Sequence, residues 1–180
     1  MIVTPALYPP GSQSVFGPDS IQSCGLDHLN LLSSALASAV WPAANRAIYM
    51  PMRVVSEVTV DRIGLWNGTI ASGNFDVGIF DGVSKVKLGS TGATAHTGTS
   101  VTQQAALTAT LVLPRGFYFV GIAFDNGTAR LFRRTLSAAR YLPAAGILQE
   151  ATAYTLPATA TPVAPTSDYL PMYTVYTVEQ

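Results

Sequence analysis

The sequence predicts an all-β protein, an antiparallel β-sandwich of jelly-roll type, on three observations. Apolar residues alternate with polar or small ones in short segments such as Phe75–Val77–Ile79, and this period of two is typical of strands. Such segments recur at a spacing of ~10 residues, and Gly- and Asn-containing turn signals separate them. A lipocalin-like closed barrel is the alternative, but a predicted bulge and a long proline-rich return segment favour two sheets.

The stretch Val58–Asp81 carries the clearest strand pattern. Its apolar alternation changes phase at Asp61–Arg62, and because one extra residue swaps the face that points inward, we predict a β-bulge there. Tight hairpin turns are predicted at Asn67–Gly68 and Asp81–Gly82, since Asn-Gly and Asp-Gly tolerate positive φ. Further along, Phe117–Phe124 is apolar on both faces, which predicts a central strand that is covered on both sides.

Residues 1–42 are predicted to form an N-terminal arm, and residues 43–180 the sandwich. Prolines and glycines within residues 1–26 prevent a long helix or an inner strand. Asp27–Trp41 is the one helix candidate, because Asp27 can cap it and an apolar stripe follows at helical spacing. Six apolar arm residues are predicted to dock on a neighbouring protein, either an adjacent subunit or a different protein: Ile2, Val3, Leu7, Tyr8, Val15 and Phe16.

The composition suits a chain whose surface is partly covered by a partner. Only 11% of the 180 residues are charged, against a usual ~25%. Ten basic and ten acidic residues cancel, so no field is expected to attract nucleic acid or an anionic membrane. Cys24 is the single cysteine and excludes an intrachain disulfide. No signal peptide and no membrane insertion are predicted.

Chemistry-bearing residues are sparse, and we predict no enzyme, no metal and no cofactor. His28 and His96 lack a compact set of further ligands and are expected to be solvent-exposed. A glycosidase would need two facing carboxylates. The candidates are Glu57, Asp61, Asp76, Asp81, Asp125 and Asp168. We place Asp61 at the bulge, Asp81 and Asp125 in turns that use their side chains locally, and Asp76 on an outer face.

Aromatic and basic side chains remain as candidate ligand or interface contacts. Trp66 precedes the Asn67–Gly68 turn and is predicted to be the most exposed of the aromatic residues, which can stack on sugars or anchor an interface. The arginines 130, 133 and 134 form one basic cluster, interpreted as a solvated strand end or an inter-subunit salt-bridge patch. The predicted contacts are Trp66, Tyr118, Arg130, Arg133 and Arg134.

Several stretches resemble a family of small virion-associated proteins of tailed bacteriophages, which includes minor tail proteins. The resemblance covers residues 41–175 and is carried by WPAANRAIYMPMRV, SGNFDVGIFD, GSTG and LPRGFYFVGIAFDN, with YLP before the closing strand. None of these motifs is catalytic, and they belong to the framework of a sandwich.

The resemblance implies a virion structural protein, either a minor tail or fibre-associated protein or a capsid-decoration protein, assembled in the host cytoplasm. Its expected partners are other virion proteins and copies of itself in a homo-oligomer such as a trimer. A host-surface glycan is a candidate ligand in host attachment, and no nucleic acid is expected. The alternative function is that of a carbohydrate-binding β-sandwich module.

Overall fold

The computed structural model describes residues 37–135 and 146–178, and this part of the chain contains twelve strands and no helix. All pairings between the strands are antiparallel. The strands are β1 (Ala37–Val40), β2 (Ala47–Val54), β3 (Val58–Trp66), β4 (Asn74–Asp81), β5 (Lys87–Ser90), β6 (Thr94–Ala95), β7 (Thr102–Leu113), β8 (Gly116–Phe124), β9 (Arg130–Thr135), β10 (Leu148–Glu150), β11 (Tyr169–Pro171) and β12 (Tyr173–Thr177).

The strands form one large sheet and two small ones. The large sheet has the order β10-β2-β8-β4-β5, with β6 paired to β4, and the small sheets have the orders β12-β3-β7 and β1-β9-β11. Strand β8 lies between β2 and β4 and pairs with both along most of its length. The predicted central position of Phe117–Phe124 is therefore confirmed.

The two small sheets are joined at Met172, which links β11 to β12. The Met172 N–H donates to the Phe132 carbonyl at 3.0 Å, and the Met172 carbonyl accepts from the Trp66 N–H at 3.3 Å. One continuous stretch therefore pairs first with β9 and then with β3. Through this stretch both small sheets face the large one.

The main core lies between the large sheet and the small sheets. Phe75, Val77 and Ile79 of β4 have no exposed surface and point into this core, as predicted. Trp41, which is 1% exposed, packs against Phe124 of the large sheet at 4.9 Å between ring centres. The predicted all-β antiparallel sandwich is confirmed; the jelly-roll type stays a prediction.

The predicted bulge in β3 is also confirmed. The pairing of β3 with β12 shifts by one residue at Asp61, and the pairing with β7 is irregular between Val60 and Arg62. As a consequence Val60 and Ile63 are both fully buried although three positions separate them. The bulge turns Arg62 outward together with every second residue after it.

One of the two predicted hairpin turns is wrong. Asp81–Gly82 does open the connection between β4 and β5, which pair as a hairpin. Asn67–Gly68 forms no hairpin, because β3 pairs with β7 and β12 and not with β4. Asn67 is fully buried and bridges to Leu131 of β9 instead.

The described end of the predicted helix is a strand, so the helix prediction is wrong there. Ala37–Val40 forms β1 and pairs with β9 over four residues. The reason is tertiary: the ladder to β9 satisfies the backbone groups, and Trp41 fills the core directly after it. Residues 37–42 of the predicted arm thus belong to the folded sandwich, while residues 27–36 lie outside the described residues.

Residues 151–165, here called the strap, cover the outer face of the large sheet. They enclose a second, smaller core in which Leu156 of the strap meets the outward residues Tyr49, Phe80 and Phe119. The strap also reaches both edges of the sheet: Lys87 N–H of β5 donates to a strap carbonyl, and Gln149 of β10 pairs with Val163 in both directions. The edge strands β5 and β10 are thereby covered.

Candidate functional site

The predicted contact residues do not meet in one place. Tyr118 is 7% exposed, and its hydroxyl donates to the Pro114 carbonyl at 2.8 Å. Trp66 is partly buried against the main core. The side chain of Arg134 and the six apolar arm residues lie outside the described residues. Of the predicted set, Trp66 and two arginines therefore remain at the surface.

The two described arginines of β9, Arg130 and Arg133, point to opposite faces, since they are three positions apart on the strand. Arg130 Nη1 donates to the Ser38 carbonyl at 3.4 Å. Arg133 Nη1 lies 3.4 Å from a carboxylate oxygen of Asp168 and also donates to its carbonyl. The Arg133 guanidinium stands 5.2 Å from the centre of the Tyr169 ring. Arg130 and Arg133 therefore stabilise the β1-β9-β11 sheet locally, and they do not form a single basic patch.

The carboxylates in turns are occupied by their own loops. Hydrogen bonds from the Ser84 N–H and hydroxyl and from the Val83 N–H hold the pKa of Asp81 below its ordinary value. Burial alone would raise the pKa of Asp125, but donors of Asn74 and Asn126 outweigh burial and lower it. Both acids are thus held as acceptors for turn donors, as the sequence predicts.

Asp76 is the exception, because the predicted outer face on which it stands is covered by the strap. It is 1% exposed, and its carboxylate accepts from the Leu156 N–H at 2.9 Å. Glu150, the last residue of β10 before the strap, accepts hydrogen bonds from the Tyr49 hydroxyl at 2.9 Å and from Thr161. Burial raises the pKa of Tyr49 most, and the hydrogen bond and negative charge of Glu150 raise it further. These groups fasten the strap to the sheet.

His96 is buried, and its predicted exposure is wrong. It is 5% exposed, lies 5.1 Å from the Phe124 ring centre, and its Nδ1 accepts from the Ser72 N–H at 3.3 Å. Burial lowers its pKa. Asn67, which sequence reasoning placed in a turn, clamps the same loop: its Nδ2 donates to the Thr97 and Gly98 carbonyls.

The outward side of the β12-β3-β7 sheet brings two aromatic residues and several polar groups together. Ile63 and Leu65 point inward, so their neighbours on β3 point outward, and the same alternation turns Tyr176 and Gln104 outward. We call this surface the aromatic face. Its members are Arg62, Gly64, Trp66, Gln104 and Tyr176.

Gly64 shapes the aromatic face. A Cβ atom on Gly64 would come within 2.9 Å of the Tyr176 ring and 3.3 Å of its hydroxyl, so the ring lies across the glycine. The Trp66 Nε1–H donates to the Thr174 hydroxyl at 3.5 Å, and Thr174 pairs with Gly64 across β12 and β3. Tyr176 therefore reaches over Gly64, and Trp66 contacts Thr174 beside it. The sequence offers Tyr176 only as one of several aromatic residues that could stack on a sugar, and the glycine inside a strand was the signal that could have singled it out.

A second exposed surface, the apolar end, lies at one end of the strands of the large sheet, and Asp125 lies at the other end. Its members are Val55, Val83 and Phe117, which are 42%, 90% and 48% exposed. The Gly82 N–H donates to the Phe117 carbonyl at 2.9 Å, which places Val83 beside Phe117. Among the aromatic residues in the described part of the chain, Phe117 is the most exposed.

Within residues 37–135 and 146–178, no three His, Cys, Asp or Glu side chains are grouped so that they could hold a metal ion. In this part of the chain no helix has the length and apolarity needed to cross a bilayer.

Comparisons of the chain with protein-family models, with curated proteins and with solved structures gave no match. The phage virion family that the sequence motifs resemble therefore stays a prediction.

Proposed function

We propose that the chain is a non-enzymatic structural component of a tailed-phage virion. In this role it is a minor tail or fibre-associated protein or a capsid-decoration protein, and its sandwich projects outward. The N-terminal residues dock on a neighbouring copy or on another virion protein. The motifs from Trp41 to Met172 that resemble the phage family support this, as does the low fraction of charged residues, 11%.

The observation that carries the proposal is the apolar end. Val83 is 90% exposed and stands next to Phe117, which is 48% exposed. Neighbouring exposed apolar side chains are typical of interaction sites, and aromatic residues are enriched at the centres of interfaces. A repeated particle component has such a surface covered by its neighbour.

The state of the acids supports a non-enzymatic role. Glycosidases need one carboxylic acid and one carboxylate facing a substrate across a cleft. Asp81 and Asp125 accept hydrogen bonds from their own turns, and Asp76 lies beneath the strap. Each of these three groups already has donors from the protein itself.

The proposal is tested by measuring the molar mass of the purified full chain by light scattering. We expect an oligomer that Val83→Asp and Phe117→Asp weaken, because a charge at the interface must be desolvated. Val163→Asp is the matched control, since Val163 is 60% exposed on the strap, away from the apolar end. It should leave the molar mass unchanged.

The second measurement is mass spectrometry of purified particles from the producing host. We expect the chain in the particles at a stoichiometric copy number. A monomer at all concentrations that is also absent from particles would disprove the proposal. Equal weakening of the oligomer by the Val163 control would show that the apolar end is not the contact.

A further inference from the structure

We propose that the aromatic face binds a neutral oligosaccharide. This surface is distinct from the apolar end, and the inference does not depend on virion assembly. It is carried by four observations: the position of the Tyr176 side chain, the hydrogen-bonding groups beside it, the charge balance of the sheet, and its dimensions.

The first observation is that the Tyr176 side chain extends along the sheet. It extends across Gly64, where a Cβ atom would come within 2.9 Å of the ring. Tyr176 is half-buried, so part of the ring remains exposed beside the Arg62 guanidinium, which stands 5.6 Å from the ring centre. The π face carries negative charge density and attracts C–H groups. The C–H-rich face of a pyranose ring is such a surface.

The second observation concerns the polar groups beside the rings. Arg62 Nη1 donates to Gln104 Oε1 at 3.3 Å, so the amide oxygen of Gln104 is engaged and its NH₂ group is left to donate. The Arg62 guanidinium, 5.6 Å from the Tyr176 ring centre, carries further donors. Together they present donors at the level of the rings, and sugar hydroxyl oxygens are matching acceptors.

The third observation is charge. Strands β12, β3 and β7 contain two charged residues, Asp61 and Arg62. They form an ion pair in which Arg62 Nε lies 3.3 Å from Asp61 Oδ1. The sheet is therefore neutral overall, and it offers no net charge to a phosphate, a nucleic acid or a polyanion. A neutral ligand complements this surface best.

The fourth observation is size. From Arg62 to Trp66 the strand advances by four residues, or about 13 Å, and three strands span about 10 Å across. Tyr176 stands opposite Arg62, and Thr102 stands opposite Trp66. The face is thus long enough for a short oligosaccharide.

Two structural roles compete with this inference. Tyr176 could serve only to cover Gly64, since aromatic residues stabilise glycines in neighbouring strands. The face could alternatively contact protein. Both roles make predictions that differ from sugar binding, so one set of variants separates all three.

The test uses the full chain and a panel of neutral hexasaccharides: maltohexaose, cellohexaose, mannohexaose and chitohexaose. We expect saturable binding of at least one of them in calorimetry. Tryptophan fluorescence should change on binding, because Trp66 is on the face and Trp41, the other tryptophan, is 1% exposed. If no member of the panel binds with a Kd below about 10 mM, the inference is wrong.

Variants assign the binding to the face. Tyr176→Leu removes the ring but keeps bulk over Gly64, and we expect about a tenfold loss of affinity, which corresponds to a typical aromatic contact. Tyr176→Phe keeps the ring and should retain most of the affinity. Gln104→Ala, at an exposed position, should weaken binding with little effect on melting. Phe117→Leu makes the same type of change at the apolar end and should leave the affinity unchanged.

The remaining outcomes also decide the matter. A Tyr176→Leu variant that melts earlier but binds sugar normally would reduce Tyr176 to a cover for Gly64. A variant with normal sugar affinity but an altered molar mass would make the face a protein interface. In either case the inference fails, while the proposed virion role, tested at Val83 and Phe117, stands or falls separately.

Discussion

His96 shows how a single buried side chain links stability to pH. Its ring is enclosed by Phe75 and Phe124, and its Nδ1 accepts from a backbone N–H. Protonation would put a charge into this apolar site and turn the accepting nitrogen into a donor that faces another donor. The neutral form is therefore favoured in the folded state, and the pKa of His96 is lowered.

We expect the free energy of unfolding to fall as the pH drops from about 7 toward 5. The unfolded chain binds a proton near its ordinary pKa of about 6.5, while the folded state binds it only at lower pH. His96→Gln should flatten this dependence, which is measured by urea unfolding at a series of pH values. If the free energy of unfolding depends on pH equally steeply in the variant and in the unchanged chain, His96 is not the group responsible.

Val77 tests the main core at the same scale. It has no exposed surface and stands on β4 between Phe75 and Ile79. Val77→Asp should lower the unfolding free energy by several kcal/mol, since an unpaired charge enters the core. Val163→Asp, at a 60% exposed position on the strap, is the control and should cost less than about 0.5 kcal/mol. Similar losses for both variants in denaturant unfolding would place Val77 outside the core.

At the scale of elements, β1 decides where the arm ends and the sandwich begins. Its four residues pair with β9, and Trp41 after it contacts Phe124 and Tyr169. The Tyr169 hydroxyl donates back to the Ala39 carbonyl at 2.8 Å. The arm boundary predicted at residue 42 would cut through these contacts.

Two deletions check this boundary. Removal of residues 1–36 should leave a folded sandwich and abolish oligomerisation, because the docking residues are gone and β1 is kept. Removal of residues 1–42 should destabilise the fold by more than about 3 kcal/mol, as expected for the loss of a buried tryptophan alone. Thermal melting and light scattering are the measurements. If the longer deletion melts normally, β1 is dispensable; if the shorter one still oligomerises, the arm does not dock.

At the scale of the whole molecule, low charge and two apolar layers suit a protein that functions by contact. We expect chelators such as EDTA to change neither the melting temperature nor assembly, since the described residues offer no cluster of metal ligands. No hydrolysis of host envelope polysaccharide is expected, because the acids already hold turns and the strap in place. Reproducible hydrolysis that Asp76→Asn abolishes would overturn this expectation.

The sequence by itself determined the elements whose pattern is local. The alternation of Phe75, Val77 and Ile79, the doubly apolar run in β8 and the phase change at Asp61 each follow from the period of a strand. Asp81–Gly82 was recognisable as a turn because its side chain bonds residues two and three positions away. Such signals do not depend on the rest of the chain.

Only the tertiary structure decided the features that depend on distant partners. Ala37–Val40 ends a stretch with helical apolar spacing but becomes a strand because β9, whose residues lie 90 to 96 positions later than their partners in β1, supplies its ladder. Asn67 is a turn former that the fold buries as a clamp, and Asp76 is outward on its strand but covered by the strap. The aromatic face unites Gly64 with Tyr176 across 112 positions. No local pattern encodes such long-range pairings, since they arise when the sheets pack.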